Sequence, residues 1–381
     1  MLENLEPAGK VTAPMNFRPG IEFDGQEGIA TTPGYTDQPN FEQFLLEAGF
    51  DPNEIEIVGT PRTSRWQKYD GEWLTAYRFN FRKKLNSVDL PLLLQEAKKK
   101  AKPAKPAPAE PRCLVIMWSD LQVGKVDYRG NSQSLIERVQ LMQTRLMDLV
   151  KREKPEKIIF ADLGDTVENF QNAAAMQQLQ SNDLSIMEQV DLATTFAWQT
   201  LRMLYERVPN ITYASVGSNH CQWRVGRDAV GKSSDDWGLF IGRQLARLSQ
   251  EAGLKIRFTE PQPHDESLAI DVFGDGFHIL GVVHGHQAKR PDMMATWWRG
   301  QAFGRQPVAD ASVLIHGHWH HLRVTELGST PRGTSRFLIM APTMDNGSGW
   351  WRKVTGEDSV PGLGAFFLEK GVDFTGTVYK L

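Results

Sequence analysis

The chain has 381 residues, of which 40% are hydrophobic, and a formal net charge of −3 at pH 7. This length accommodates one large domain and a smaller one, and the nearly balanced charge excludes a global electrostatic attraction to nucleic acid. Two cysteines, no stretch apolar enough to span a bilayer and no secretion signal lead us to expect a cytoplasmic protein without membrane association.

Charge and composition divide the chain into segments. Residues 1–60 contain 11 acidic and 2 basic residues, a balance of −9, whereas residues 61–112 contain 5 acidic and 13 basic residues, a balance of +8. The Lys/Ala/Pro segment over 96–112 cannot bury a core and is typical of a semi-rigid linker. We therefore predict disorder over 1–36, a small α+β domain over 37–95, this linker, and a large domain over 113–381.

The small domain is predicted to contain a helix over 41–48 and a strand over 75–82. The strand alternates with period two, so three aromatic residues share one face and three polar residues the other: Tyr77, Phe79 and Phe81 against Arg78, Asn80 and Arg82. The simpler interpretation is a half-buried strand with a solvated basic face. The alternative is a nucleic-acid-binding surface, extended by Arg62, Arg65 and Lys68, or a surface for a protein partner.

In the large domain, apolar strand-like runs alternate with helical patterns, which predicts a mixed α/β (α+β) fold. The strands are expected at 113–118, 157–160, 211–216, 277–283, 311–315 and 337–340. Apolar residues recur at helical spacing over 135–149 and 190–204, and a third helix is expected to begin near Ser234. A hairpin is predicted over 364–379, with Gly371 in its turn.

Polar groups follow five of these strands. In chain order they are Asp120 and Gln122, then Asp165, then Asn219 and His220, then His284, then His318 and His320. Loops at strand ends often hold functional side chains, because the sheet fixes the roots of the loops. Carboxylate, amide and imidazole groups together suit a pair of divalent cations, which can clamp a phosphoryl group during displacement.

The ordered set Asp120-x-Gln122, Gly164-Asp165, Asn219-His220, His284-Gly285 and Gly317-His318-x-His320 resembles the motifs of the calcineurin-like metallophosphoesterases. The resemblance covers roughly residues 113–350 and extends to phage-type members and to the nucleases of double-strand-break repair. It implies a two-layer β-sandwich flanked by helices. If the gene is a phage gene, it implies a location in the cytoplasm of the bacterial host.

The resemblance also implies a role for each residue. Asp120 and His320 would bind a first cation, Asp165 would bridge two cations, and a second cation would be bound by three side chains: Asn219, His284 and His318. His220 would contact the phosphate and protonate the leaving oxygen. The cofactors expected are two divalent ions, with Mn²⁺ preferred and Mg²⁺, Fe²⁺ or Zn²⁺ as alternatives.

Two departures from the family pattern stand out. Gln122 occupies the position of a histidine, so either its amide oxygen ligates the first cation as a weaker donor or a water takes that place. Ser218 is inserted between Gly217 and Asn219. Glu168 and Asn169 either orient the site or cap the next helix, and we favour capping.

Three arginines are candidates for substrate binding. Arg224, Arg290 and Arg299 lie in loops near the histidine motifs and would meet a phosphate, unless they belong to ordinary solvated basic loops.

The sequence lacks a Walker-type loop, a dinucleotide fingerprint and a Gly-x-Ser-x-Gly elbow, which argues against kinase, dehydrogenase and serine hydrolase functions. We expect a metal-dependent phosphodiesterase, specifically a DNA nuclease that uses a metal-bridging hydroxide. The alternatives are a small-molecule phosphatase or cyclic-nucleotide phosphodiesterase, and a non-catalytic metal-binding scaffold.

Overall fold

The computed structural model describes residues 17–25, 27–83, 112–170, 182–225 and 228–381. The chain forms two compact units, Met1–Ser87 and Val88–Leu381. The linker predicted over 96–112 lies outside the described residues except for Arg112, which is the first residue of a strand. Among the described helices, none combines the length and the apolar character needed to cross a membrane.

The N-terminal unit is a four-stranded antiparallel sheet with one helix. Its elements are β1 (Gly20–Phe23), β2 (Glu27–Thr31), α1 (Phe41–Glu47), β3 (Ile55–Gln67) and β4 (Trp73–Lys83), and the strand order is β1-β2-β4-β3. The Asn40 side chain caps α1 by accepting from the backbone N–H of Glu42 and Gln43. Leu45 of α1 packs with Phe79 and Phe81 of β4, which confirms the predicted helix and the apolar face of the predicted strand.

The prediction of disorder over 1–36 is wrong for the part that forms β1 and β2. In the sheet, Ala30 of β2 is the partner of Phe79 of β4 and is fully buried. The segment is Gly-rich and polar, so its own residues carry a weak strand signal. Its order depends on pairing with a strand about 50 residues later. Residues 1–16 lie outside the described residues.

The second unit contains two large sheets, a small one and several helices. The strands are β5 (Arg112–Trp118), β6 (Lys157–Asp162), β7 (Ile211–Ser215), β8 (Arg224–Val225), β9 (Asp228–Ala229), β10 (Arg257–Thr259), β11 (Ser267–Asp271), β12 (Ile279–Val283), β13 (Val313–His316), β14 (Arg323–Ser329), β15 (Ser335–Met340), β16 (Gly364–Glu369) and β17 (Tyr379–Lys380). The helices are α2 (Ser132–Glu153), α3 (Ile186–Tyr205), α4 (Trp237–Glu251), α5 (Met294–Phe303) and α6 (Gly349–Thr355), with a 3-10 turn at Pro291–Met293.

The first large sheet has the order β10-β7-β6-β5-β16-β17, and the second has the order β11-β12-β13-β15-β14. Neighbours β5, β6, β7 and β10 run parallel, as do β12, β13 and β15. The two sheets share one apolar core, to which Val115 and Ile159 contribute from the first sheet and Val282 and Ile339 from the second. Burying these faces against each other is the main stabilising term for this unit.

Helices cover the outer faces of both sheets. Residues of α2, α3 and α4 pack with Leu114, Ile116 and Phe160 on the far side of the first sheet. On the second sheet, Met294 and Trp298 of α5 pack with Leu314 and Leu338. The fold is therefore mixed α/β, as predicted.

The six strands predicted in the large domain all occur, with ends shifted by one or two residues. The helix expected near Ser234 begins at Trp237, where Asp236 is the N-cap. The hairpin forms between β16 and β17, and Gly371 has a φ of +73° in the turn that follows β16. Strand β14 was not predicted, because it lies at the sheet edge and most of its side chains are exposed, which removes the apolar signal.

Candidate metal centre

The candidate ligands lie where the carboxyl ends of parallel strands meet at one edge of the two packed sheets. Loops after β5, β6 and β7 carry Asp120, Asp165 and Asn219 from the first sheet. Loops after β12 and β13 carry His284 and His318 from the second sheet. Parallel strands end at the same edge of a sheet, so residues far apart in sequence converge there.

His284 is the most constrained group of the centre. Its Nδ1 lies 2.6 Å from the backbone oxygen of Leu163, and its Nε2 lies 3.1 Å from Asp165 Oδ2 and 3.0 Å from Asn219 Oδ1. Because the Leu163 carbonyl only accepts, Nδ1 carries a proton, and removal of the Nε2 proton would leave the Nε2 lone pair facing two oxygen atoms. Three electron-pair donors that face one another in a buried site fit a divalent cation between them.

His318 completes this group. Its ring centroid lies 5.0 Å from that of His284, and Asp165, His284 and His318 each place one ligand atom within 4.8 Å of the others. Within the described part of the chain, this is the one group of three or more His, Cys, Asp or Glu side chains that converges so closely. We call the set Asp165, Asn219, His284 and His318 the second cation position.

The first cation position would consist of Asp120, Gln122 and His320, with Asp165 as the bridge. His320 Nε2 lies 3.3 Å from Asp120 Oδ1, and its Nδ1 lies 3.5 Å from Asp345 Oδ2. The backbone N–H of His318 donates to both carboxylate oxygens of Asp120 at 3.1 Å. Asp120 and His320 are thus brought together as the family pattern implies.

Gln122 is placed differently from a ligand. Its Oε1 accepts a hydrogen bond of 2.6 Å from Lys125 Nζ, and the same ammonium lies 2.7 Å from Asp345 Oδ2. Lys125 is nearly buried and Asp345 is fully buried. The donor set of the second position therefore fits a divalent cation, whereas at the first position a lysine already binds the oxygen that Gln122 would offer.

Backbone strain is concentrated at this centre. Nine non-glycine residues among those described have a positive φ, and six of them belong to or border the site: Asp120, Gln122, Asp165, Asn169, His318 and His320. Each left-handed residue costs about 1–2 kcal/mol relative to ordinary backbone. Such strain is retained where function requires a particular side-chain direction, which supports a functional role for these loops.

Close packing also places the loops. A Cβ at Gly317 would lie 2.2 Å from Ser119 Oγ and 2.4 Å from Asp120 Oδ2, so glycine is required for the loop after β13 to approach Asp120. Ser218, which departs from the family pattern, accepts from the backbone N–H of Asp165 at 2.7 Å. Its own N–H donates to Asp236 Oδ2 at 2.9 Å. The inserted serine thereby ties the loop after β7 to the loop after β6.

Charges at the centre are strongly coupled. Burial alone would lower the pKa of His284, but the Asp165 carboxylate outweighs it, and the pKa rises to about 9. Burial would raise the pKa of Asp165, but His284 and His220 hold that pKa well below its usual range. Burial, reinforced by the charge on His284, lowers the pKa of His318 well below its usual range. Near neutral pH, Asp165 is therefore anionic and His318 is neutral, which are the forms that bind metal, whereas His284 carries a proton that a bound cation would displace.

His220 borders the centre from the loop after β7. Its backbone N–H donates to Asp165 Oδ1 at 2.9 Å, and its ring Nδ1 lies 3.2 Å from Glu168 Oε2, while Nε2 lies 3.9 Å from Asp165 Oδ2. Burial opposes protonation, but Asp165 and Glu168 raise the pKa of His220 to about 9. Glu168 thus orients the ring so that Nε2 faces the centre.

Glu168 and Asn169 contact the loop that carries His220, which favours the alternative that they orient the site; residues 171–181, where a following helix would begin, lie outside the described residues. Asn169 Nδ2 donates to the backbone oxygens of His220 and Gln222, at 2.9 and 3.3 Å, and so supports the loop that carries His220. The next described helix, α3, is capped by Ser185 and Glu188. The sequence did not decide between the two roles, because a polar residue shortly after a strand end fits either one.

The three arginines predicted to bind substrate occupy different environments. Arg224 lies beside the centre, where its Nε donates to the backbone oxygen of Asn219 at 3.1 Å. Arg290 forms an exposed ion pair of 2.9 Å with Asp292, and Arg299 is exposed on α5. Arg224 is thus the one of these three that directly contacts a candidate ligand residue.

Lys125 and Asp345 are the residues that the sequence analysis missed. Asp345 follows β15, so β15 is a sixth strand followed by a polar group, and the regular placement of such groups after the other five strands was a signal for it. Lys125 carried no such signal, because a single lysine in a loop after β5 is more often a surface residue. It is recognisable only from its burial against Gln122 and Asp345.

Comparison with known proteins adds no assignment: no protein-family model matches this chain, and no curated protein matches it.

Proposed function

We propose that this protein is a metal-dependent phosphodiesterase of the calcineurin-like metallophosphoesterase fold that cleaves nucleic acid, as a DNA nuclease. The observation that carries the proposal is the placement of His284 Nε2 at 3.1 Å from Asp165 Oδ2 and 3.0 Å from Asn219 Oδ1, with Nδ1 bound to the Leu163 carbonyl. Without a cation the ring is protonated and Nε2 donates to these oxygens; a divalent cation would displace that proton and be faced by one ring nitrogen and two oxygens, while Nδ1 stays bonded to the Leu163 carbonyl. The parallel strands that lead into it at the edge of two packed sheets support the proposed fold.

The side chains around the second cation position would have separate roles in phosphoester hydrolysis. A divalent cation, when bound, supplies a Lewis acid that draws charge from a phosphoryl oxygen. His220 Nε2 is held by the Glu168–Nδ1 contact so that it can donate a proton to the leaving oxygen. Arg224, anchored on the Asn219 backbone, brings a positive charge to the same loop.

The N-terminal unit favours a nucleic acid as substrate. Arg62 and Arg65 are exposed on β3, and the Arg65 guanidinium lies 5.0 Å from the ring centre of Trp73, which is 47% exposed. Exposed guanidinium groups can meet phosphates, and an exposed aromatic ring can stack on a base. The other predicted basic residues contribute less, because Lys68 is paired with Glu72 and Arg82 with Glu56.

The second candidate, a phosphatase or cyclic-nucleotide phosphodiesterase, draws support from a cavity in the second unit. The cavity has a volume of about 220 Å³ and is lined by residues that include Gly217, Gln222, Arg243, Glu266 and His286. Sites that enclose a small molecule usually measure about 300–1,000 Å³. This cavity would hold only part of a substrate, which suits one nucleotide of a longer strand at least as well.

A substrate panel tests the proposal. With Mn²⁺, we expect hydrolysis of DNA and of a generic phosphodiester, with roughly 100-fold or greater loss in Asp165→Asn, because the amide removes the anionic ligand. The matched control is Asp148→Asn on the exposed face of α2, which should retain activity. Cleavage of monoesters or cyclic nucleotides with none of DNA would favour the second candidate. If no ester is hydrolysed in the presence of Mn²⁺, the non-catalytic metal-binding scaffold would be the remaining candidate.

The role of the N-terminal unit has its own test. In the double variant R62A/R65A we expect weaker DNA binding and a smaller dependence of affinity on salt, because fewer phosphates are neutralised. Hydrolysis of a generic small diester should not change. The control is Arg152→Ala, which removes an exposed arginine at the end of α2. Unchanged DNA affinity in the double variant would remove this surface from the proposal.

A further inference from the structure

A buried lysine stands at the first cation position. Lys125 Nζ lies 2.6 Å from Gln122 Oε1 and 2.7 Å from Asp345 Oδ2, and its side chain is only 10% exposed. An ammonium so far removed from solvent requires compensating charge, which Asp345 supplies. The position of Lys125 is therefore fixed by the buried residues around it.

The Lys125 ammonium competes with a cation in two ways. First, it donates a hydrogen bond to the amide oxygen of Gln122, the residue that stands where the family has a histidine ligand. The ammonium also adds a positive charge in contact with Asp345 Oδ2. The same oxygen lies 3.5 Å from His320 Nδ1. A divalent cation held by His320 and Asp120 would add a second positive charge to a buried group that already contains the ammonium bonded to Asp345, and like charges repel more strongly in a region of low dielectric.

The remaining donors of the first position are also engaged. Both oxygens of Asp120 accept from the backbone N–H of His318, and Oδ2 is in contact with Ser119 Oγ as well. By contrast, Asp165, His284 and His318 converge on one point without an ammonium among them. The donors of both positions accept hydrogen bonds, but only at the first position is a candidate ligand bonded to a buried lysine.

We infer that this protein binds one divalent cation, at Asp165, Asn219, His284 and His318, and that the Lys125 ammonium, bonded to Gln122 and Asp345, supplies the positive charge that a second cation would otherwise bring. The inference rests on the proposed phosphoesterase site and specifies it. The fixed ammonium would stabilise negative charge on a phosphoryl group bound beside the single cation, without exchanging with the solution.

Metal stoichiometry tests the inference on the full chain. After incubation with excess Mn²⁺ and removal of free metal, we expect one Mn²⁺ per wild-type chain by elemental analysis. The low-temperature paramagnetic resonance spectrum should be that of an isolated Mn²⁺ ion, without the exchange coupling of a neighbouring pair. In Lys125→Met, which has a side chain of similar length and no charge, we expect a second equivalent to bind and coupling to appear.

Control variants separate charge from packing. Lys125→Arg keeps the charge and should remain at one Mn²⁺ per chain. Lys151→Met, on the exposed face of α2, should also remain at one. If Lys125→Met does not fold, the stoichiometry and the spectrum of the wild type decide the question by themselves.

The outcomes distinguish this inference from the proposed function. Two Mn²⁺ ions per wild-type chain with a coupled spectrum would overturn the inference and leave the phosphodiesterase proposal standing. No tightly bound Mn²⁺ in the wild type, and no difference between wild type and Asp165→Asn, would overturn both. One Mn²⁺ that is lost in Asp165→Asn supports both.

Discussion

Gly164→Ala is expected to strain the second cation position directly. Gly164 has a φ of +92°, and a Cβ there would lie 2.5 Å from Ser218 Cβ and 3.0 Å from His284 Nδ1. The left-handed conformation costs an alanine about 1–2 kcal/mol, and forcing a methyl group into a packed region costs about 1–3 kcal/mol more. We therefore expect the free energy of unfolding to fall by about 2–5 kcal/mol. Affinity for Mn²⁺ should fall too, because His284 and Ser218 must move away from Asp165.

Gly371→Ala separates the two contributions. Gly371 also has a positive φ, +73°, but a Cβ there would meet nothing within 4 Å, so only the backbone cost of about 1–2 kcal/mol applies. Urea unfolding of both variants in the absence of metal, with m-values compared, measures the difference. Isothermal titration with Mn²⁺ measures the affinity, which Gly371→Ala should leave unchanged. Equal destabilisation by the two variants, or an unaltered Mn²⁺ affinity in Gly164→Ala, would refute the packing argument.

Two further predictions concern an acid beside the centre and the N-terminal unit. Burial raises the pKa of Asp162 from 3.8 to about 6, although Tyr213 and Gly164 donate hydrogen bonds to its carboxylate. As pH rises, the Asp162 carboxyl therefore loses its proton at a lower pH in the unfolded chain than in the folded one. Between about pH 4.5 and about pH 7, the wild type should lose about 2 kcal/mol of stability relative to Asp162→Asn, which urea unfolding can measure. Equal dependence of stability on pH in the two proteins would contradict this prediction. Phe79→Ala should destabilise the N-terminal unit by about 3–5 kcal/mol, because Phe79 is only 2% exposed in the core of that unit. Calorimetry can measure this loss of stability. Loss of Mn²⁺ binding in that variant would show that the metal centre depends on the N-terminal core.

Much of the second unit could be predicted from local pattern alone. The run from Cys113 to Trp118 is apolar throughout because β5 is buried on both faces, by the second sheet and by the helices. A strand of this kind is recognisable from its own residues, and so is the polar residue that follows it. That is why Asp120, Asp165 and His284 could be named as candidates before their distances were known.

Other features depend on partners that are distant in the chain. Strand β2 is ordered by β4, and its own composition indicates a loop. Glu168 orients His220 across 52 positions, so its sequence neighbours suggested a helix cap instead. In both cases the deciding interaction forms only when the sheets assemble, and no periodicity within one segment encodes it.

The positions of these strands along the chain and the chemistry of the residues at their ends were thus determined by the amino-acid sequence, because burial and side-chain type act locally. Tertiary structure alone decided that Lys125 is bonded to Gln122 and Asp345. Lys125 and Asp345 are 220 residues apart, and they meet because the loops after β5 and β15 end at the same edge of the two packed sheets. Their ion pair lies within a low-dielectric interior, where position sets the strength of a charge, and that position exists only in the folded chain.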